Sequence, residues 1–203
     1  MENRVLKIIS LLFHPLFFPV YTLLALLFFP WYLASLLPLP AKLMMMGTVV
    51  LTTVLVPLLF IYVLFRKKII RSLYLESRPE RIYPLLTVAV CYYITYYLLK
   101  EYPVSMLFSY YMLGCTFLAI LSLILTFYLK ISLHMVGTGG FLGMLVGLAL
   151  NFSYPLAGAI TGMILVCGLV GYIRLKTNSH KPSEVYAGFL VGAVVMFLLF
   201  FFV

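Results

Sequence analysis

The sequence is poor in charge and poorest in acid: 9% of its 203 residues are charged, with five Asp and Glu against fourteen Lys and Arg. A soluble domain carries far more charged surface, and a disordered chain carries far less hydrophobicity than the 65% found here. Tryptophan occurs once, and the three cysteines, Cys91, Cys115 and Cys167, stand far apart inside apolar stretches. That spacing excludes a secreted disulfide scaffold and a paired-cysteine metal site, so the thiols read as small core hydrophobes. No internal period repeats, no run alternates as a strand does, and no low-complexity linker interrupts the chain. The expectation is a single all-α domain over residues 1–203.

What the chain has is apolar length. A mean hydropathy of +1.17 marks an integral membrane protein. On a bilayer-embedded body, a net charge of +9 meets lipid phosphate or anionic lipid rather than nucleic acid. Arg4 and Lys7 ahead of a long apolar run resemble a signal peptide. The run is too long, however, and no small-residue cleavage site follows it, so it reads as a retained span.

Charge-free gaps locate the spans, because a bilayer core takes roughly 20 apolar helical residues and tolerates few ionised groups. They run over 8–41, 43–65, 82–99, 102–129, 131–173 and 185–203. The fifth is too long for one crossing and holds Asn151-Phe-Ser-Tyr-Pro155 as its turn. The first contains Pro15, Pro19, Pro30, Pro38 and Pro40, which predict one kinked crossing with a re-entrant or interfacial end. The fold expected is a polytopic transmembrane helix bundle of six to seven helices. Gly139, Gly143 and Gly147, and likewise Gly188 and Gly192, recur four apart and read as helix-packing positions.

The remaining polarity gathers in residues 66–81, 130–134 and 174–184. Two helices separate each cluster from the next, which brings all three to one membrane face. Ionisable groups there are expensive and usually face a cavity or one another. In the first cluster Arg71 and Arg78 are two turns apart if the segment is near-helical, so both guanidinium groups can project from one face. Arginine suits phosphate because its planar fork binds two oxygens and stays charged. The same residues, with Arg66, Lys67 and Lys68, also make an ordinary juxtamembrane loop.

In the second cluster, Ser132 is placed to cap a glycine-rich helix whose N-terminus offers N–H groups to an anion, with His134 in its first turn. In the third, Arg174 is followed by His180 and Glu184. Pro182 opens a helix there, and Glu184 can fold back to one His180 ring nitrogen, fixing the tautomer and leaving the other to attack. A His and Glu four apart also suit a metal, but no further carboxylate or Cys cluster completes a shell. His14, in Phe-His-Pro, is either a pocket contributor or a polar group satisfied at a kink. Tyr92, Tyr93, Tyr96 and Tyr97 either pack or line a lipid-tail entrance.

Taken in order, these clusters resemble the type 2 phosphatidic acid phosphatase superfamily, membrane phosphatases related to the vanadium haloperoxidases. Its pattern is Lys, six residues, Arg-Pro; then Pro-Ser-Gly-His; then Ser-Arg, five residues, His, three residues, Asp. Here Arg71 and Arg78-Pro79, Ile131-Ser132-Leu133-His134, and Ile173-Arg174, His180 and Glu184 stand in those places, over about 115 residues. Arg71 for Lys keeps the cation and Glu184 for Asp keeps the carboxylate, while Ile131 and Leu133 replace the Pro and Gly of the second motif. The resemblance implies a metal-independent lipid phosphatase without a cofactor. In it, His180 attacks phosphorus to form a phosphohistidine, Glu184 orients its ring, and His134 protonates the leaving group. Arg71, Arg78, Arg174 and Ser132 hold the phosphoryl oxygens. A bell-shaped pH profile follows, since one histidine begins neutral and the other protonated.

The substrate implied is a membrane lipid phosphate: phosphatidic acid, phosphatidylglycerophosphate or a polyprenyl diphosphate. The location implied is a multi-pass protein of the cell (inner) membrane. The family places its site at the outer face. With seven crossings, however, 12 of the 14 basic residues share the site face and the N-terminus, leaving Lys42 and Lys100 opposite: either the site faces the cytoplasm, or its basic residues serve substrate at the outer face and override the bias. The competing class is a non-catalytic lipid-binding or transport protein on the same framework. A transporter would show broken helices with polar groups at mid-membrane in repeated halves; here the polar groups collect at helix ends.

Overall fold

A computed structural model describes residues 2–28, 37–72, 75, 77–100 and 106–202; Pro30 lies outside them. Among the described residues the chain is helical without a strand. Seven segments are long and apolar enough to cross a membrane: Arg4–Leu27, Leu39–Arg66, Pro79–Leu99, Met106–Thr126, Leu133–Asn151, Ala157–Lys176 and Pro182–Phe201. The molecule is thus an all-helical, multi-pass membrane protein, at the upper end of the expected helix count. Its exposed surface carries large apolar side chains such as Leu11, Leu59, Leu165 and Leu190, which lipid solvates and water would not.

The helices form two compact units, Met1–Phe18 with Tyr128–Val203, and Pro19–Phe127. In the first unit, α1 (Glu2–Leu12) is followed by a single 3-10 turn, Pro15–Phe17. The kink predicted for the first apolar run falls here. His14 sits ahead of Pro15 with an extended backbone, and its Nδ1 accepts the Leu16 N–H at 3.4 Å, capping the turn that Pro15 opens. The unit continues with α7 (Leu133–Asn151), α8 (Ala157–Lys176) and α9 (Pro182–Phe201). The turn at 152–156 is where the sequence puts it, with Ser153 at φ 54°.

In lipid, apolar burial does not drive helices together, so close approach must come from small residues. A Cβ added at Gly139 would stand 2.4 Å from the Phe189 carbonyl oxygen, one at Gly143 2.2 Å from that of Ala193, and one at Gly192 2.2 Å from that of Val136. The glycine repeats of α7 and α9 therefore face one another. Gly158, Gly162 and Gly168, on α8, have nothing within 4 Å and play no such part.

The second unit comprises α2 (Phe18–Phe28, from Pro19 on), α3 (Leu39–Val50), α4 (Val56–Arg66), α5 (Ile82–Leu99) and α6 (Met106–Thr126). A π-helical turn, Leu51–Leu55, joins α3 to α4 just ahead of Pro57, which lacks the N–H an unbroken α-helix would need. Thr52 Oγ1 and Thr95 Oγ1, 2.7 Å apart, link this turn to α5. Cys91, Cys115 and Cys167 are free and buried, as read from the sequence. Of Tyr92, Tyr93, Tyr96 and Tyr97 on α5, Tyr92 is buried, while Tyr93 and Tyr97 are exposed.

Candidate functional site

Four of the structural steps that build the site belong to the end of α8 and the start of α9. The Thr177 N–H returns to the Ile173 carbonyl and the Ser179 N–H to the Arg174 carbonyl, with Asn178 in the left-handed region at φ 51°. That 6→1 closure ends α8, and asparagine tolerates the positive φ better than most residues. Lys181 is extended (φ −77°, ψ 156°), and Pro182 opens α9 with its φ already helical. Glu184, at the third position, accepts the Lys181 N–H at 3.2 Å and the His180 Nδ1–H at 2.8 Å on the same oxygen, Oε2. One carboxylate thus caps the helix and fixes the ring. The His180 side chain is 7% exposed and that of Glu184 17%. The fold-back expected of this pair is present.

The start of α7 packs against this corner. The Ser132 N–H donates to the Glu184 carbonyl at 3.1 Å, and the Val136 N–H returns to Ser132 O at 3.0 Å to begin the helix. Gly188 permits the approach, because a Cβ there would stand 2.7 Å from Ser132 O. Ser132 occupies the N-cap position expected of it, but its hydroxyl makes no capping bond. The residue is 0% exposed and its Oγ has no partner among the described residues, so the capping role is corrected. The extended backbone of Ser132 and the Glu184 carbonyl set the helix start, and a buried hydroxyl remains unsatisfied.

His134 takes the first turn of α7. Its Nε2 lies 3.2 Å from the Ser10 carbonyl oxygen and 3.4 Å from the Ser10 hydroxyl, and its ring meets His14 edge-on at 5.1 Å between centroids. Arg174 Nη2 donates to the same Ser10 hydroxyl, whereas Arg174 Nε is buried without a partner. His14, Arg174 and His180 are all within electrostatic reach of His134.

An open pocket of about 610 Å³ lies beside the pair, lined by Lys130, Asn178, Ser179, His180, Lys181 and Glu184 with Leu175 and Pro182. Two lysines and the start of α9 make it favourable to an anion. His134, Arg174 and Ser132 are not among its lining residues. A hydrophobic core of Met135, Val170 and Val185, with Leu175 and Phe189 against it, packs the three helices that carry the site.

Arg71 and Arg78 belong to the second unit. The near-helical segment expected between them is not formed: Lys68 and Leu75 have φ of 58° and 51°, and the Leu75 N–H closes a turn on the Ser72 carbonyl. Glu80 folds this connection by accepting the Arg71 N–H at 2.7 Å and the Ser77 N–H at 3.2 Å. Arg81, buried, donates from Nε to the Leu75 carbonyl. Four positive charges crowd residues 66–71, and a turn held by a carboxylate relieves that repulsion better than a helix that would stack them. Arg66, Lys67 and Lys68 are exposed, as a juxtamembrane loop requires.

Ser10 was not singled out by the sequence. No local spacing marks it, because α1 ends at Leu12 and His14 stands on extended backbone beyond it. No group of three His, Cys, Asp or Glu side chains able to hold a metal occurs among the described residues. Comparisons with protein families, with curated proteins and with solved structures found no match for this chain.

Proposed function

We propose that this membrane protein is a metal-independent lipid phosphatase that works through a phosphohistidine on His180. The observation that carries the reading is the 2.8 Å contact from His180 Nδ1 to Glu184 Oε2, held at a helix start beside a basic pocket. A carboxylate accepts only, so the ring proton sits on Nδ1 and the Nε2 lone pair points away from Glu184. That is the tautomer a nucleophile needs, and the carboxylate stabilises the charge the ring acquires.

In the first step the Nε2 lone pair forms a bond to phosphorus, and the bond from phosphorus to the lipid oxygen breaks. His134 gives that oxygen its proton. In the second, water attacks phosphorus, His134 takes a proton from the water, and the P–N bond breaks to release inorganic phosphate. Arg174 and Ser132 stabilise the equatorial oxygens. The resemblance also assigns Arg71 and Arg78 to phosphate; the first unit carries the reading without them. Substrates of the right chemistry are phosphatidic acid, phosphatidylglycerophosphate and polyprenyl diphosphates.

Phosphate release by detergent-purified protein from those three lipids tests the proposal, with EDTA and vanadate as controls. EDTA-resistant, vanadate-sensitive release supports it; no release from any of them removes it. Within the active case, Glu184→Gln keeps the hydrogen bond's geometry but loses the charge and favours the wrong tautomer. A fall in kcat of about 10²- to 10⁴-fold follows, by analogy with the carboxylate of a hydrolase triad.

As part of this reading, the positive-inside bias over seven candidate spans supports a site end on the cytoplasmic side. A single-cysteine variant at exposed Thr177 would then resist a membrane-impermeant thiol reagent in intact cells and react after permeabilisation. Labelling in intact cells would reverse the assignment.

A further inference from the structure

No sequence motif assigns a role to Ser10 of α1, yet two groups of the candidate site converge on it. Its hydroxyl oxygen accepts from Arg174 Nη2, and its carbonyl oxygen lies 3.2 Å from His134 Nε2. A carbonyl only accepts, so His134 carries its proton on Nε2 and turns Nδ1 into the basic nitrogen. With Nε2 a donor, the Ser10 hydroxyl at 3.4 Å cannot give its own proton there. Its lone pair is already committed to Arg174, a group with donors only. Among the described residues the Ser10 proton is therefore left without an acceptor. Beside it, Arg174 Nε is buried and unpartnered, and Ser132 Oγ is buried and unpartnered at the start of α7. Buried polar groups are rarely left unpaired, and the Arg174 Nε–H next to the Ser10 contact is a donor in want of an acceptor.

We infer that Ser10 is a substrate-binding residue of this site: its hydroxyl, aimed by Arg174, donates to a phosphoryl oxygen, while its carbonyl holds His134 in the Nε2–H tautomer. The inference rests on the phosphatase reading and extends it to a helix outside the three motifs. Arg174 keeps one N–H on Ser10 and gives Nε to the anion, so the serine hydroxyl and the guanidinium act as adjacent donors on one phosphoryl group. His14, edge-on to the His134 ring, limits the rotation that would swap its two nitrogens.

The test compares full-length parent, Ser10→Ala and Ser10→Thr in steady-state hydrolysis of whichever lipid phosphate the parent cleaves, with the inhibition constant for orthovanadate and the melting temperature of each. Loss of the donor in Ser10→Ala lowers kcat/KM by about 10- to 100-fold, the range for a hydrogen bond to a charged partner. The vanadate inhibition constant rises by a comparable factor, since vanadate mimics the pentacoordinate phosphorus. Ser10→Thr, which keeps the hydroxyl, stays near the parent in both. A variant with parental kcat/KM and vanadate affinity overturns the assignment while leaving the phosphatase reading intact. A loss of activity matched by a collapse in melting temperature, and not restored by threonine, reduces Ser10 to a structural contact and also overturns it. If the parent itself releases no phosphate, the phosphatase reading fails. Thermal stabilisation by vanadate of the parent but not of Ser10→Ala then still supports Ser10 as an anion ligand, and equal or no stabilisation overturns that as well.

Discussion

On the proposed phosphohistidine route, replacing His180 by asparagine is expected to remove phosphate release, by about four orders of magnitude or more, because a reaction through a covalent intermediate has no route once its nucleophile is gone. Asparagine is nearly isosteric around Cγ and can still donate to Glu184, so the cap that Glu184 forms with the Lys181 N–H is retained. Folding should be little affected: the ring lies outside the Met135, Val170 and Val185 core, and neither α8 nor α9 depends on it for closure. Two measurements separate chemistry from damage. Brief reaction with a ³²P-labelled lipid phosphate, then acid and alkali stability of the protein-bound label, reports the P–N bond directly; the parent should carry alkali-stable label and the variant none. Thermal unfolding in the same detergent should coincide for the two. Glu184→Gln should still trap label, more slowly, because it lacks the orienting charge and not the nucleophile. A His180→Asn protein that hydrolyses lipid phosphate at the parental rate would end the mechanism, whatever the substrate.

The parts of this site that were legible in the sequence are those set by local rules. Pro182 at a helix start and Glu184 four residues after His180 each depend on preferences acting within one turn, and each is found as the spacing predicts. Helix positions were legible for a similar reason, since a charge-free run of bilayer length has few alternatives to a span. What could not be read is whatever depends on which helices meet. Ser10 lies 164 residues from Arg174 and 124 from His134, and no local rule links them. Ser132 shows the opposite failure: its N-cap position is local and correct, but the hydroxyl's partner is decided by the approach of α9, and that approach leaves it unpaired. Between Arg71 and Arg78 the sequence leaves a near-helical segment and a juxtamembrane loop both open, and the turn is decided by Glu80, which accepts the Arg71 and Ser77 N–H groups.

The second large effect concerns packing, and it is expected at Gly143 and Gly192 rather than at any residue of the site. Valine at Gly192 would place a Cβ 2.2 Å from the Val136 carbonyl oxygen and 2.8 Å from the Gly140 nitrogen; at Gly143 the clash is with the Ala193 carbonyl, also at 2.2 Å. These neighbours are backbone, so no rotamer change relieves the overlap, and α7 and α9 must move apart along their length. Overpacking that side chains can absorb costs about 1–3 kcal/mol; a rigid clash with backbone belongs at or above that upper bound. In lipid the separated helices regain no hydrophobic stabilisation to offset the loss, because close contact between small residues is what held them. The damage also reaches the chemistry. Separation of α7 from α9 breaks the Ser132 N–H bond to the Glu184 carbonyl and opens the contact of Gly188 with Ser132. Phosphate release should therefore fall in the same variants that lose thermal stability, in the order of their overlap. Gly162→Ala is the internal control: it too replaces a helical glycine, but its Cβ meets nothing within 4 Å, so stability and activity should stay at the parental level. Equal tolerance of Gly192→Val and Gly162→Ala would mean that the two glycine repeats do not face each other, and would dismantle the framework on which His180, Glu184 and Ser132 are assembled.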